Sequence, residues 1–420
     1  MEVWQLVGFS AAVLLLGFAA RLVFDRWKVP DFLLLIVAGL AIGPAGANAL
    51  PADLRAGFEG AAGPLLSVTV AFLMMEAGIH LTVEGGRLVT LLILAHTALA
   101  GALTFAGAWA VSVYAFGLSP SSATVLAAAT LGPSAVVLAS FAPKLSIKPQ
   151  TRQALLFEGI LANVLGFFVV MSVPGLGTGS AGAAEWAGAL SALALAVMLA
   201  GAAGLGWAFV LKHLHPREGV FIATLAVALG IYAVASGPLG GNGAVGAFAF
   251  GWVLRRAGGI ARERALPGAQ VDGAADLGRF HSEASFLVRT FFFLYLGLHF
   301  DPALATPSAL ALALALVAVF LAARYPSCAL LRRAWSLGRP DTLVLLGSVS
   351  RGLTDILLVL YGISSGLVPA AEAPLLASVI VILLLASLAA NGLAILLAER
   401  SRKRDARLEQ GPEGAPARPQ

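Results

Sequence analysis

Charge is scarce in this sequence. Only 12% of its 420 residues are Asp, Glu, Lys or Arg, while 59% are hydrophobic, and a soluble chain carries about 25% charged residues. Such a deficit excludes a soluble enzyme or binding domain and leaves an integral membrane protein. Cysteine is almost missing, and Cys328 alone permits no intramolecular disulfide. Metal-ligand spacings, a nucleophile elbow, an HExxH pair and a phosphate-cradling glycine loop are absent too, so neither an enzyme nor a cofactor is expected. The formal charge of +5 could suit nucleic acid. Its bases, however, stand beside the ends of apolar segments, as membrane proteins keep them, and nucleic acid is not an expected partner.

What is abundant is apolar and small. Forty-seven glycines and many alanines fit helices that approach closely in lipid, where association relies on packing. At about 20 apolar residues per crossing, spans are expected near 3–24, 30–46, 61–81, 88–116, 119–141, 152–173, 184–211, 219–238, 242–254, 282–300, 306–331, 342–362 and 372–398, about thirteen in all. Alternate loops hold Arg26 and Lys28, then Arg87, then Lys144, Lys148 and Arg152, then Lys212 and Arg217, then the bases from Arg255 to Arg279, then Arg332, Arg333 and Arg339, then the tail; the other loops hold only Arg55. That bias predicts a multi-pass plasma-membrane protein with its N-terminus outside and its C-terminus cytoplasmic. The first span lacks a cleavage site and reads as a true helix. Residues 399–420, rich in charge, Pro and Gly, are expected to be a disordered tail.

The longest hydrophilic stretch, 255–283, parts two similar apolar halves. The fifth and twelfth spans are seven apart, an odd offset, so matching helices of the halves would run in opposite directions. Inverted repeats of this kind build secondary transporters, whose interrupted helices point to the substrate site.

In the fifth span, Thr130-Leu131-Gly132-Pro133-Ser134 falls near mid-membrane. Pro133 offers no N–H to the carbonyl of Ala129, so the helix should kink or unwind there, either as a packing kink or as a source of carbonyl ligands for a cation. Glu158 and Asn163 lie in the sixth span. A carboxylate at that depth is either a functional group or half of a structural pair. Asn163 can hold a polar ligand but cannot titrate near neutral pH. The twelfth span holds Ser350-Arg351-Gly352 and Asp355, where Arg351 must find a carboxylate or backbone carbonyls: Asp355, four residues on, is one candidate and Glu158 the other. Arg324 either joins them or snorkels to the interface. His96 reads as a satisfied core histidine rather than a proton relay, Glu76 as interfacial, and Arg289 as reaching Glu283 or the headgroups.

These residues resemble the monovalent cation:proton antiporter superfamily, which includes the sodium/proton exchangers, over most of residues 1–398. The resemblance rests on Gly132-Pro133-Ser134, where relatives carry TDP-like or GPT-like motifs, and on Glu158-Gly159-Ile160-Leu161-Ala162-Asn163-Val164-Leu165-Gly166, where they carry ExxxND or DD. It also rests on Gly243 to Gly251, on Arg289 to Leu298, and on Ser350-Arg351-Gly352. It implies an all-α inverted-repeat fold with two crossing unwound helices. Core helices would span about 88–173 and 306–398, and dimerisation helices about 1–81 and 219–300 of a homodimer. It further implies alternating access exchanging Na⁺, K⁺ or Li⁺ for H⁺ at a site of Glu158, Asn163, Leu131, Gly132 and Ser134, with Arg324, Arg351 and Asp355 as supporting charges. One departure matters: Asn163 stands where relatives hold their essential aspartate. Either the chain is a weakened Asp-to-Asn form, or the proton has moved to Glu158 or Asp355. An anion carrier and an uncoupled channel or receptor on the same fold are the rival readings.

Overall fold

Long runs of Leu, Ala, Val and Ile can satisfy their backbone in lipid only as helices or closed barrels, and helix is what forms. The computed structural model describes residues 3–27, 31–43, 46, 64, 67–79, 81, 86–134, 137–138, 145, 147–172, 183–213, 219–238, 242–264, 286–288, 290–295, 297–298 and 306–409; among them there is no strand. In chain order the helices are α1 (Val3–Trp27), α2 (Asp31–Ile42), α3 (Ser67–Ile79), α4 (Arg87–Ala110), α5 (Pro120–Ala129), α6 (Pro149–Ser172), α7 (Ala183–His213), α8 (Val220–Ser236), α9 (Gly243–Arg264), α10 (Phe286–Tyr295), α11 (Pro307–Trp335), α12 (Arg339–Gly347), α13 (Leu353–Ser364) and α14 (Ala373–Glu409). Each expected apolar segment holds one of these helices, except 342–362, which holds two, α12 and α13. Among the described residues, five stretches are long and apolar enough to cross a membrane by themselves: Arg87–Ala115, Pro149–Val170, Leu190–Leu211, Pro307–Trp335 and Ala373–Arg402.

Two boundaries differ from expectation. The ninth span was expected to stop at 254, yet α9 runs to Arg264. The tail was expected to be unstructured from 399, yet α14 continues to Glu409; residues 410–420 lie outside the described residues. In α14 the residues from Glu399 to Glu409 are mostly Glu, Arg, Lys, Ala and Leu, strong helix formers, so leaving the apolar layer does not end the helix; α9 runs on although Gly258 and Gly259, weak helix formers, lie in its last turns. At 37 residues and 1.5 Å per residue, α14 is about 55 Å long, against a hydrocarbon core of about 30 Å.

The chain forms two units. The first comprises Met1–Leu81, Met171–Gly175 and Ala181–Thr306. In it Met75, Ala200, Ala228, Ile231 and Phe250 build a core among α3, α7, α8 and α9, and Val13 packs with Leu294 and Leu298. The second comprises Thr82–Val170, Leu176–Ser180 and Pro307–Gln420. Its plan is helix, broken helix, helix, twice over: α4, α5 with its continuation, and α6; then α11, α12 with α13, and α14.

One core cluster shows that the second copy is inverted. Ile93 near the start of α4 packs with Cys328 and Leu331 near the end of α11, and Leu155 near the start of α6 shares the cluster with Ala398, late in α14. Two carboxylates then tie the copies together at opposite ends. Asp341, in the first turn of α12, accepts from the Lys148 N–H and the Thr151 hydroxyl, both 2.8 Å, where α6 begins. Glu372, just before α14, accepts from the Ser119 N–H at 3.0 Å and the Ser119 hydroxyl at 2.8 Å, where α5 begins. In each case the carboxylate satisfies a backbone donor that a helix start leaves without an intrahelical partner.

Candidate ion site at two broken helices

Both breaks lie in the second unit. The α5 helix stops at Ala129, and Thr130 closes it by donating its hydroxyl to the Leu126 carbonyl at 2.7 Å. Pro133 supplies no N–H, so the next carbonyls lack a helical donor. Arg351 answers them from the other break: one guanidinium nitrogen donates to the Thr130 carbonyl at 2.9 Å and also to the Gly132 carbonyl. In return the Ser134 N–H donates to the Ser350 carbonyl at 2.7 Å. The α12 helix stops at Gly347 and α13 starts at Leu353. The Arg351 N–H between them donates to the Ser387 hydroxyl on α14 at 2.9 Å. So close a crossing admits only glycine at two points. A Cβ on Gly352 would strike the Ser134 hydroxyl, and one on Gly132 would strike the Ala162 methyl on α6.

Arg351 is 2% exposed, and its guanidinium carbon lies 3.8 Å from the centroid of the Phe320 ring on α11, a cation–π contact that supports the charge where water cannot. Neither expected carboxylate partner is used. Asp355 accepts from the Gly352 N–H at 2.6 Å and so caps the start of α13. Glu158 is engaged elsewhere. The reason lies in competition: carbonyls freed by Pro133 stand at the crossing itself, whereas Asp355 is drawn to a helix start whose donors have no other acceptor.

Glu158 is held from two sides. Arg324 donates to both of its oxygens, at 2.5 and 2.9 Å, in the fork geometry that suits guanidinium to carboxylate. The His96 Nε2 lies 3.1 Å from Glu158 Oε2. Arg324 is 2% exposed, which rules out snorkelling, and its Nε donates to the Leu345 carbonyl near the end of α12 at 3.0 Å. Each buried arginine therefore serves carbonyls near the end of one broken helix. Sequence reasoning expected a satisfied core histidine at 96, and only half of that holds: Nδ1 has no hydrogen-bond partner among the described residues. Its contact with Glu158 spans 62 positions, and the only local signal was an ionisable group deep in an apolar run.

Leu131, Gly132 and Ser134 are buried at the first break. Asn163 is buried on α6, five residues beyond Glu158, and its side chain makes no hydrogen bond among the described residues. No group of three or more His, Cys, Asp or Glu able to hold a metal ion occurs among the described residues. Arg289, His80, Gly240 and Gly241 lie outside them.

A buried acid held by an arginine and a histidine, set against two interrupted helices that hydrogen-bond each other at their breaks, is transporter architecture. The model of the transmembrane sodium/hydrogen exchanger family matches residues 11–396. The chain belongs to the sodium/hydrogen exchanger family. It is thus a transporter and not an enzyme. No curated protein matches the exchanger's sequence, but solved structures match its fold. A structure of the sodium proton antiporter MjNhaP1 from Methanocaldococcus jannaschii at pH 8 is similar with a TM-score of 0.76 at 18% identity, covering 95% of this exchanger and 99% of that chain. A second, electron-microscopy structure of MjNhaP1 gives 0.66 at 17%, covering 100% of both chains.

Proposed function

We propose that this exchanger moves a monovalent cation, Na⁺ in first place with K⁺ and Li⁺ as alternatives, against protons by alternating access. It works as a homodimer of the plasma membrane, with its N-terminus outside and its C-terminus cytoplasmic. The observation that carries this reading is the crossing of the two broken helices beside Glu158, in a chain of the sodium/hydrogen exchanger family. The cation takes oxygen ligands near Asn163 and Glu158, with Leu131, Gly132 and Ser134 lining the break; Arg324, Arg351 and Asp355 hold the frame. Division of the second unit from the first supports separate roles as transport core and scaffold.

Asn163 weakens the coupling, because an amide cannot exchange a proton for a cation. Uptake of Na⁺, K⁺ and Li⁺ driven by a pH gradient in proteoliposomes tests this reading. We expect slow cation-dependent proton movement from the chain as it stands, and faster movement from Asn163→Asp, since a desolvated carboxylate can titrate near neutrality. If neither protein moves protons in response to any of the three cations, the reading fails; an ohmic current would put a channel in its place. The charge balance favours one second reading. With Asn163 neutral, Arg324 and Arg351 offset Glu158 and Asp355 and no carboxylate is in surplus, as an anion carrier would have it. Proton movement that follows chloride rather than the cation would establish that alternative.

A further inference from the structure

The α4 and α11 helices pack side by side in opposite directions, so that the start of α4 and the end of α11 share one end of the second unit. Their outward faces carry the same sequence of chemistry. On α4, Leu94, Leu91 and Leu88 are exposed, at 38%, 61% and 70%, and beside Leu88, one turn before Leu91, stands the exposed Arg87. On α11, Tyr325 is 68% exposed, and two turns further Arg332 is exposed on the same face, with Arg333 beside it. None of the three arginines makes an ion pair among the described residues. Arg87 moreover stands in the first turn of α4, where the helix dipole disfavours a cation, and no acidic residue shares that turn.

A surface that is apolar for two turns and then ends in three guanidinium groups without an acidic partner among the described residues matches a molecule with an acyl chain and an anionic head. Arginine is also the residue best matched to a phosphate in planar, bidentate recognition. We infer that the α4–α11 edge binds the phosphate headgroup of an anionic phospholipid between Arg87, Arg332 and Arg333, with its chain along Leu91, Leu94 and Tyr325. This goes beyond the general preference of basic residues for one membrane side, because it names two helices and excludes other bases at the same end, such as Arg400, Arg402 and Arg404 on α14. It does not depend on the transport reading, since binding can be measured on a protein that moves no ions.

The test uses the full chain in detergent with added phosphatidylglycerol or phosphatidylcholine, following lipid retained in native mass spectrometry and the unfolding temperature. Two variants are compared, R87Q/R332Q/R333Q and R400Q/R402Q/R404Q, which remove equal charge. The expected result is retention and thermal stabilisation by phosphatidylglycerol over phosphatidylcholine in the parent and in the α14 variant. In the first variant retention falls roughly fivefold per arginine, about a hundredfold in all. The inference is overturned if the first variant keeps the full phosphatidylglycerol effect, if both variants lose it equally, if the parent does not distinguish the two lipids, or if inorganic phosphate alone reproduces the stabilisation.

Discussion

Arg351 of the second broken helix hydrogen-bonds the carbonyl of Gly132 in the first. Its charge is therefore spent on mending a helix that Pro133 interrupts, and it serves as a fixed cation lodged where the chain's own carbonyls converge.

From this, Arg351→Ala should lower stability by about 3 kcal/mol, because it leaves the buried carbonyls of Thr130 and Gly132 without donors. Asp355→Asn should cost only about 1 kcal/mol, the usual worth of a helix cap. Chemical unfolding in detergent compares the two. Losses of equal size would mean that Arg351 and Asp355 act as a pair after all.

Glu158 and Arg324 should show strong mutual dependence. Glu158→Gln or Arg324→Met alone is expected to cost about 3–5 kcal/mol, since each strands a buried charge, while the double variant should cost clearly less than their sum. A double-mutant cycle on unfolding free energy measures the coupling, and strict additivity would contradict the bidentate pair.

Gly132→Ala should destabilise by about 1–3 kcal/mol through overpacking against the Ala162 methyl. Adding Ala162→Gly makes room and should restore much of the loss. An unfolding temperature for G132A equal to the parent's would show that α6 and the break do not touch as described.

Glu372 gives a pH dependence with a definite sign. Burial raises its carboxyl, but the hydrogen bonds from Ser122 and Ser119 outweigh that and hold it below its ordinary value of 4.5. A group whose folded value is depressed contributes stability above its unfolded value and loses that contribution as pH falls through the folded one. The parent should thus be more stable than Glu372→Gln by a constant amount from about pH 8 to 6, and the gap should close below about pH 4. Melting curves across that range check it; a gap that widens in acid would reverse the assignment.

Much of the fold was legible because lipid leaves the backbone so few options. The apolar runs located the helices, Pro133 located the first break, and the odd offset between spans gave the inversion. Partnerships were less legible. Glu158 and Arg351 were both visible as costly charges at depth, yet nothing local says that Arg324 takes Glu158 from 166 positions away, or that Arg351 prefers carbonyls 219 and 221 positions back to a carboxylate four residues on. His96 shows the same limit, since an ionisable group in an apolar run announces a partner without naming it. The helix end at Glu409 was misplaced for another reason: hydropathy marks where lipid stops, while the Arg, Lys, Ala, Leu and Glu that follow carry the helix on.

The two carboxylate ties have a consequence for how the protein is made. Asp341 serves donors at Lys148 and Thr151, 193 and 190 positions earlier, and Glu372 serves Ser119, 253 positions earlier. While the chain is still being synthesised, the first half must sit in the bilayer with those helix starts unfinished, and both are completed only by residues that leave the ribosome much later. Neither half should be a stable unit when expressed alone, whereas two halves produced together from a chain cut within residues 265–285 have every tie available and should assemble.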